Sequence, residues 1–334
     1  MSQSFGKKIN SQKSKEPLFL EFPIFLPGLN DSTNFLSRLV LMSQSFGKKI
    51  NSQKSKEPLF LEFPIFLSGL NGSTNFLFRS ETMYTPDEIL DITIDMGTKK
   101  IAKPFVSKLL LGFVGGAMIS LGYLAYIRVA SSMIEDWGSI ASFIGACVFP
   151  VGLIVILLGG GELITGNMMA VAAAWFDKKV NTKDLLLNWV TITLANAVGA
   201  IFVAYFFGHI VGLTSSGVYL HETITLAQGK IAATPLQAFV SGIGCNWFVG
   251  IALWLCYGAK ESSGKILGIW FPVMVFVAIG FQHSVANLFV IPAAIFEGQA
   301  TWLELLQNFV PVYLGNIVGG AVFVSGLYYK ALKH

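Results

Sequence analysis

Two short polar segments interrupt otherwise apolar stretches of this chain, and they contain the residues best suited to chemistry. His283 lies in GFQHSVAN at 280–287, and Thr165 lies in GGGELITGN at 159–167. An ionisable group inside a membrane-length apolar run is a functional candidate by default. The pKa of an unperturbed imidazole, about 6.5, would let His283 exchange a proton with a weak acid. Thr165 could donate a hydrogen bond to His283 or to an anion, or it could cap a helix.

Three more polar residues in these segments suit the ends of a broken helix. We expect Asn167 and Asn287 each to cap the half-helix that follows. A buried carboxylate costs several kcal/mol unless it is hydrogen-bonded. We therefore expect Glu162 to accept hydrogen bonds from backbone N–H groups freed by the break, rather than to contact a substrate.

A helix break at membrane depth is tolerated only against protein or a water-filled cavity. If the two breaks belong to inverted halves, their half-helix N-termini approach the membrane midplane from opposite sides with their positive dipole ends inward. Neither segment contains Arg or Lys. The predicted site therefore attracts an anion weakly and releases it fast, as a channel or a shallow-barrier transporter requires.

The composition places the chain in a membrane. Of its 334 residues 53% are hydrophobic and only 13% are charged, with a net charge of +4, whereas a soluble domain carries about 25% charged residues. The three cysteines lie in apolar runs and show neither a disulfide framework nor zinc spacing. Nothing resembles a P-loop or a dinucleotide fingerprint, so we expect no metal, no cofactor, no nucleic-acid partner and no enzymatic activity.

Residues 1–82 form a separate, duplicated extension. Residues 1–38 recur at 42–79 with three differences, which are Pro27/Ser68, Asp31/Gly72 and Ser37/Phe78. Two near-identical copies indicate a recent duplication or an upstream start codon, and we expect this segment to be disordered. Residues 83–103 follow, where a Thr-Pro-Asp-Glu helix start at 85–88 precedes an apolar face. This pattern predicts a short amphipathic helix on the membrane surface.

Residues 104–334 predict an all-α transmembrane pore domain with six spans. The apolar runs cover roughly 105–127, 138–176, 185–211, 235–258, 266–296 and 309–330. Each run can cross a hydrocarbon core of ~30 Å as a helix. The two polar segments fall within the second and fifth runs, so these two helices are predicted to be broken.

Basic residues predict the orientation, because cytoplasmic loops are enriched in Lys and Arg. One predicted side carries eleven lysines, namely Lys99, Lys100, Lys103, Lys108, Lys178, Lys179, Lys183, Lys260, Lys265, Lys330 and Lys333. The other side carries Arg128 and Lys230. This distribution predicts a cell membrane protein, in a bacterial plasma membrane, with both termini in the cytoplasm. Lys230 is then either an ordinary solvated lysine or a group that draws anions into an outer vestibule.

The chain also resembles itself after a shift of 120 residues. Asn167 falls on Asn287, Asn188 falls on Asn308, and LANAVGA at 194–200 falls on LGNIVGG at 314–320. The two halves, about 104–213 and 230–330, each hold three spans, so they are predicted to have opposite topology, as in the inverted repeats of transporters.

The small residues around Asn196 and Asn316 predict close helix packing in lipid. We expect the two asparagines to hydrogen-bond across helices or to the broken backbone of a neighbour.

From about residue 83 to the C-terminus, the chain resembles the formate/nitrite transporter family. The resemblance is carried by several motifs in the right order, which are GGGELITGN, LANAVGA, GCNWFVGIALW, GFQHSVANLF and LGNIVGG. It implies an aquaporin-like protomer of six spans, with five protomers in a ring and one pore in each. It also implies that Thr165 and His283 are the central pair, with Asn246 and Lys230 in supporting positions. The family commonly has Glu before the histidine, whereas this chain has Gln282.

These features predict a pathway for a small monovalent anion, formate or nitrite, that is linked to protons. Lys230 and the inward dipoles would concentrate the anion, and apolar rings such as Phe149 and Phe281 would form a constriction that blocks a bare charge. A proton taken from or through His283 would convert formate into formic acid, which avoids the cost of desolvating the ion.

Three alternatives remain open at this point. A purely electrodiffusive anion channel is the nearest one. A neutral-solute channel of the water or glycerol type would need paired Asn-Pro-Ala loops and an Arg filter, which the sequence lacks. An intramembrane hydrolase could use Ser241 with His283, although Phe239 stands where a nucleophile loop would favour Gly and no oxyanion site is evident.

Overall fold

A computed structural model describes residues 83–131 and 138–333. The predictions for residues 1–82 lie outside the described residues. The described part of the chain forms ten helices and contains one isolated β-bridge, between Met83 and Ala259. In chain order the helices are α1 (Pro86–Ala102), α2 (Phe105–Ala130), α3 (Ser139–Gly160), α4 (Ile164–Phe176), α5 (Thr182–Ile210), α6 (Gly217–Ile231), α7 (Pro235–Gly258), α8 (Ser262–Ile279), α9 (Ser284–Phe296) and α10 (Trp302–Leu332).

Six helices in the described residues are long and apolar enough to cross a membrane, namely α2, α3, α5, α7, α8 and α10. The predicted all-α membrane fold with six spans is therefore confirmed. The shorter apolar helices α4 and α9 complete the second and fifth spans.

Both predicted breaks are present. α3 ends at Gly160 and α4 begins at Ile164, while α8 ends at Ile279 and α9 begins at Ser284. Gly160 and Gly280 have φ angles of 100° and 87°, in the left-handed region where a side chain is strained. A glycine at each position thus allows the first half of each broken helix to end and the chain to turn.

The repeat extends to the packing of the helices. α4 and α9 have 13 residues each, from Ile164 and from Ser284, and these starting points lie 120 positions apart, as the sequence repeat predicts. α2 packs against α5 as α7 packs against α10, and α1 packs against α4 as α6 packs against α9. The short helices α1 and α6 are therefore structural counterparts.

Glycines set the close approach between the packed helices. A Cβ atom on Gly116 of α2 would collide with the carbonyl oxygen of Asn196 on α5. In the second half, a Cβ atom on Gly315 of α10 would collide with the carbonyl oxygen of Phe239 on α7. The small-residue stretches thus bring backbones together, as expected for helices packed in lipid.

α1 begins as the sequence predicts, because Thr85 and Glu88 form a reciprocal capping box. Its apolar face, however, packs against the protein: Ile89 and Ile94 are buried, and Gly97 lies against the carbonyl of Ala170 on α4. The sequence assigned this face to the membrane surface because the burial partner lies far away in the chain. The position of the helix at a membrane interface stays a prediction.

The core surrounds the two half-helices. Every residue of α4 from Ile164 to Ala174 is buried, and so is every residue of α9 from Ser284 to Ala294. Polar groups on these helices are therefore shielded from lipid and must find partners inside the protein or in a cavity.

Candidate functional site

Thr165 and His283 meet where the two half-helices begin. The Thr165 hydroxyl oxygen lies 3.0 Å from His283 Nε2, and both side chains are buried. The two breaks are far apart in the chain but adjacent in space, as the sequence predicts. Since Thr165 is in the first turn of α4 and His283 directly precedes α9, the positive ends of both helix dipoles lie beside this pair.

The second ring nitrogen of His283 fixes the form of the imidazole. The backbone N–H of Ala286 donates to His283 Nδ1 at 3.1 Å, so that nitrogen carries a lone pair and caps α9. The proton of the neutral ring is then on Nε2, which donates to the Thr165 oxygen. A doubly protonated ring would set an Nδ1 proton against the Ala286 N–H. This geometry favours a neutral histidine, whereas the sequence hypothesis used His283 as a titrating relay.

The first N–H of each half-helix is capped by an asparagine from another helix. Asn196 Oδ1 on α5 accepts from Ile164 N at 2.8 Å, and Asn316 Oδ1 on α10 accepts from Ser284 N at 3.0 Å. The Asn196 amide also donates to the carbonyls of Gly112 and Glu162, and the Asn316 amide to those of Gly242 and Gln282. The prediction that these asparagines bind the broken backbone of a neighbour is confirmed.

Asn167 and Asn287 do not cap the half-helices, so that prediction is wrong. They lie inside α4 and α9, where the Nδ2 atoms donate to Asn188 Oδ1 at 3.0 Å and to Asn308 Oδ1 at 2.8 Å, respectively. The sequence identified a polar residue beside each break. It could not show that a distant helix reaches the first N–H and leaves the nearer asparagine to bind elsewhere.

The predicted role of Glu162 is also wrong. Its carboxylate is fully buried and accepts from Lys100 Nζ at 2.9 Å and from Lys103 Nζ at 2.6 Å. Both lysines lie at the C-terminal end of α1, which packs against the break. Two ammonium groups therefore neutralise this carboxylate, and freed backbone N–H groups do not.

Asn246 on α7 supports the central pair through hydrogen bonds to two backbone carbonyls. Its amide nitrogen donates to the carbonyl of Thr165 at 3.2 Å and to that of Asn316 at 2.7 Å. It thus ties α4 to α10 beside the Thr165 hydroxyl. Its Oδ1 atom is buried and has no hydrogen-bond partner among the described residues.

Gln282 and Lys230 lie beside the second break, next to Gly280 and Asn308. Gln282 Oε1 accepts from Asn287 Nδ2 and from Asn308 Nδ2, both at 2.8 Å. Lys230 is half-buried at the end of α6, and its ammonium donates to the carbonyl of Gly280 at 3.2 Å. Burial lowers the pKa of Lys230 from its ordinary value. Within the described residues, Lys230 makes no ion pair.

A cavity of about 230 Å³ leads from Lys230 to His283. Its walls are mainly aromatic and aliphatic, and the polar side chains that line it include Tyr126, Ser142 and Asn287. We call it the central cavity. A recess of about 580 Å³ shares Lys230 and Gly280 with it and is also lined by Gln237, Ser241 and Gln282.

Phe149 lines the central cavity together with other aromatic residues, and the constriction at Phe149 and Phe281 stays a prediction. Its ring lies edge-on to Phe276, with centroids 5.9 Å apart, and Phe276 stacks on His283 with centroids 6.1 Å apart. Phe281 also lines the cavity, but its ring packs against Gly244 and Phe248 on α7. Phe276 therefore contacts both Phe149 and His283, a position for which the sequence analysis named no residue.

Phe276 and the pair Lys100 and Lys103 are the residues that sequence reasoning missed. Phe276 lies on α8, seven residues before His283 and on the other side of the helix break, so helical periodicity does not relate the two side chains and gave no signal. The two lysines were read only as orientation markers, and their distance of about sixty positions from Glu162 gave no local signal.

Ser241 does not pair with His283. Its hydroxyl accepts from the backbone N–H of Gln282 at 3.0 Å, while both ring nitrogens of His283 are bound to Ala286 and Thr165. The hydrolase alternative therefore lacks its nucleophile and base pair. In the described part of the chain, no group of three or more His, Cys, Asp or Glu side chains is arranged to hold a metal ion.

The chain is similar to known transport proteins over the described region. A family model described as "Formate/nitrite transporter" matches residues 87–330. The "Uncharacterized transporter YrhG" of Bacillus subtilis (strain 168) is 57% identical over 246 residues, which are 74% of this chain and 92% of that protein. The "Formate channel BtFdhC" of Bacillus thuringiensis is 51% identical over 250 residues, which are 75% of this chain and 96% of that protein.

A solved structure described as "Pentameric formate channel with formate bound" has a similar fold. It aligns with a TM-score of 0.61 and 27% sequence identity, and the alignment covers 69% of this chain and 98% of that one. The likeness thus spans nearly the whole of that channel subunit.

Proposed function

The chain belongs to the formate/nitrite transporter family, and from this premise we propose that it carries a small monovalent anion, formate or nitrite, across a cell membrane in a proton-linked manner. Formate has the stronger support of the two, because the Bacillus thuringiensis relative, of which this chain covers 96%, is a formate channel.

The observation that carries the proposal is the hydrogen bond of 3.0 Å between Thr165 and His283 at the meeting point of two half-helix N-termini. The two dipole ends make this point electropositive without placing a fixed cation there. Because His283 Nε2 donates its proton to Thr165, the Thr165 hydroxyl proton is free to point at an anion. One weak donor and no strong trap suit fast passage.

The aromatic wall above this point supports passage of a neutral acid. Phe149 and Phe276 offer no charge to replace the hydration shell of an ion. In our proposal a formate anion takes a proton from hydronium in the water of the central cavity, which leaves neutral water, and crosses the constriction as formic acid. It returns the proton to water on the other side, where formate and hydronium form again. His283 keeps its Nε2 proton throughout and donates it in a hydrogen bond to Thr165, whose own hydroxyl donates to the substrate. Asn287 Oδ1, a buried acceptor without a partner in the described residues, suits the O–H of such an acid.

An uptake panel in proteoliposomes tests the proposal. Formate, nitrite, acetate, lactate and hydrosulfide are supplied at pH 6 and pH 7.5, with empty liposomes as background. We expect formate or nitrite flux well above background and a higher flux at the lower pH, because more of the anion is protonated. Absence of anion flux from folded protein would overturn the proposal. A flux that is independent of pH would favour the electrodiffusive alternative, and water permeability measured by stopped flow addresses the neutral-solute channel.

Assembly and orientation complete the proposal. We propose a ring of five protomers with one pore in each, supported by the pentameric formate channel that shares this fold. The lysine-rich ends of the helices would face the cytoplasm, with Lys230 at the outer mouth. Size measurement of the purified complex, and accessibility of each terminus to protease in intact cells, test these two statements.

A further inference from the structure

Glu162 and Gln282 occupy equivalent positions in the two halves, 120 residues apart. Each lies two positions before the first residue of a half-helix, and each backbone carbonyl accepts a hydrogen bond from the capping asparagine of its own half, Asn196 or Asn316. The two positions thus share a backbone setting but differ in charge: one is a carboxylate and the other is a neutral amide.

On the Glu162 side, the carboxylate forms ion pairs with the nearest lysines. Lys100 and Lys103 at the end of α1 both bind Glu162, which is fully buried between them. The two ammonium groups and the carboxylate sum to a net charge of +1, but both lysines are held in ion pairs, so an anion from this side binds either lysine only in competition with the carboxylate.

On the Gln282 side, the nearest cation is not neutralised. Lys230 at the end of α6, the counterpart of α1, donates to the carbonyl of Gly280 and makes no ion pair within the described residues. Gln282 is held beside it: Asn308 Nδ2 bridges Gln282 Oε1 and the carbonyl of Lys230, at 2.8 Å to each. Lys230 and Gln282 line the same recess.

We propose that the two faces of the pathway, each with a net charge of +1, differ in ion pairing: the Glu162 carboxylate engages its lysines, whereas the Gln282 amide leaves Lys230 unpaired. The Lys230 face therefore binds the transported anion at lower concentration than the Lys100 face. Gln282 is the positioning residue that sets this difference. Its neutral amide satisfies Asn287 and Asn308 while it leaves the full charge of Lys230 to the anion. This inference rests on the proposed function, since it concerns the affinity for the same anion.

A passive pathway limits what this asymmetry can do. With equal concentrations on both sides and no membrane potential, net flux is zero. For a saturable pathway, the ratio of maximal flux to half-saturating concentration must then be the same in both directions. A lower half-saturating concentration at the Lys230 face must therefore come with a proportionally lower maximal flux from that face. The asymmetry favours capture of a scarce anion from that side and does not drive transport.

The test compares formate flux in right-side-out and inside-out membrane vesicles from the same cells, at equal pH on both sides. For the wild-type chain we expect a half-saturating concentration several-fold lower at the Lys230 face. Gln282→Glu should raise that value about tenfold, the scale of one partly solvated charge interaction, and leave the Lys100 face unchanged. The glutamate oxygens can still accept from Asn287 and Asn308, so the fold is preserved.

Two controls separate charge from structure. Gln282→Met removes the hydrogen bonds from Asn287 and Asn308 without adding charge. The difference in half-saturating concentration between the two faces should therefore persist, even if the flux falls. Lys230→Gln should raise the half-saturating concentration at its own face as Gln282→Glu does. High salt should weaken the effect of Gln282→Glu. Equal half-saturation at the two faces of a conducting wild-type chain, or an unchanged value in Gln282→Glu, would overturn the inference. Absence of flux in the wild type would overturn the proposed function itself.

Discussion

At the scale of single residues, the centre of the molecule is a series of hydrogen bonds between uncharged groups. His283 Nδ1 is occupied by the Ala286 N–H, its Nε2 donates to Thr165, and the Thr165 hydroxyl proton remains for a substrate. The Ala286 N–H makes Nδ1 an acceptor, and this sets which atom donates in each of the following hydrogen bonds. The histidine therefore need not change charge for the Thr165 hydroxyl to donate a hydrogen bond to an anion or an acid.

Replacement of Thr165 tests this chain of donors. Thr165→Val removes the acceptor for His283 Nε2–H and leaves a buried donor unpaired, which costs about 1–3 kcal/mol. We expect initial formate flux in proteoliposomes to fall roughly 5- to 150-fold. Thr165→Ser keeps the hydroxyl and is the matched control, with a flux near that of the wild type. A valine variant that conducts as well as the serine variant contradicts the proposed role.

Lys230 gives a prediction for the alkaline range. Burial lowers its pKa, so its ammonium is present below that pKa and is lost as the pH rises through it, at lower pH than for an ordinary lysine. The half-saturating formate concentration at the Lys230 face should therefore rise towards high pH. Lys230→Arg stays charged across this range and should suppress the rise. The prediction fails if both chains lose affinity equally between pH 7 and pH 10.

The individual residues were only partly predictable from the sequence. Thr165 and His283 stand out because polar groups are rare in apolar runs, and the structure brings these two together. Lys230 stands out because only it and Arg128 are basic on their predicted side. The partners of Glu162 and Asn167 were not predictable, because their hydrogen bonds are made by α1 and α5. Which side chain reaches a given N–H depends on packing between helices, and the local sequence does not contain that information.

At the scale of helices, each break is stabilised by a different helix. The half-helices α4 and α9 begin without a cap from an asparagine of their own, and Asn196 and Asn316 reach them from α5 and α10. Gly116 and Gly315 allow this reach, because they let the neighbouring backbones come close enough. Broken helices at membrane depth thus depend on tight packing of the unbroken ones.

Removal of a capping asparagine should destabilise the protein. Asn196→Ala deletes three hydrogen bonds and leaves buried groups of Ile164, Gly112 and Glu162 without that partner. At about 1 kcal/mol or more for each bond, the apparent unfolding temperature in detergent should fall by roughly 6–12 °C. Val198→Ala, on the exposed side of the same helix at 61% exposed, is the control and should shift it little. Equal shifts in the two variants would contradict the capping role.

The helices were the most predictable part of the fold. Length and apolar content predicted all six spans, and the polar segments predicted both breaks. The environment of α1 was not predictable in the same way. An amphipathic pattern predicts a buried face. It does not distinguish burial in lipid from burial against α4, because both surroundings are apolar.

At the scale of the whole molecule, the repeat explains both the symmetry and the asymmetry of the pathway. A shift of 120 residues relates the half-helices and their capping asparagines, and the short helices α1 and α6 pack against the two half-helices in corresponding places. The two halves therefore form one site from equivalent backbone positions. Differences at single positions, Glu162 against Gln282 and Leu163 against His283, then give the two faces different chemistry.

A chain that begins at Met83 should retain the complete transport function. The described residues from 83 onward contain both half-helices, their caps and the central cavity. They also anchor their own beginning: Tyr84 N donates to the carbonyl of Gly258 at 2.8 Å, and Thr85 caps α1. We expect the shortened chain to match the full-length chain in oligomer size, thermal stability and formate flux. The contrasting variant begins at Pro104 and so lacks α1 as well. It leaves the Glu162 carboxylate without its ion-pair partners Lys100 and Lys103. That variant should be strongly destabilised, whereas a loss of flux in the chain from Met83 would assign residues 1–82 a role in transport.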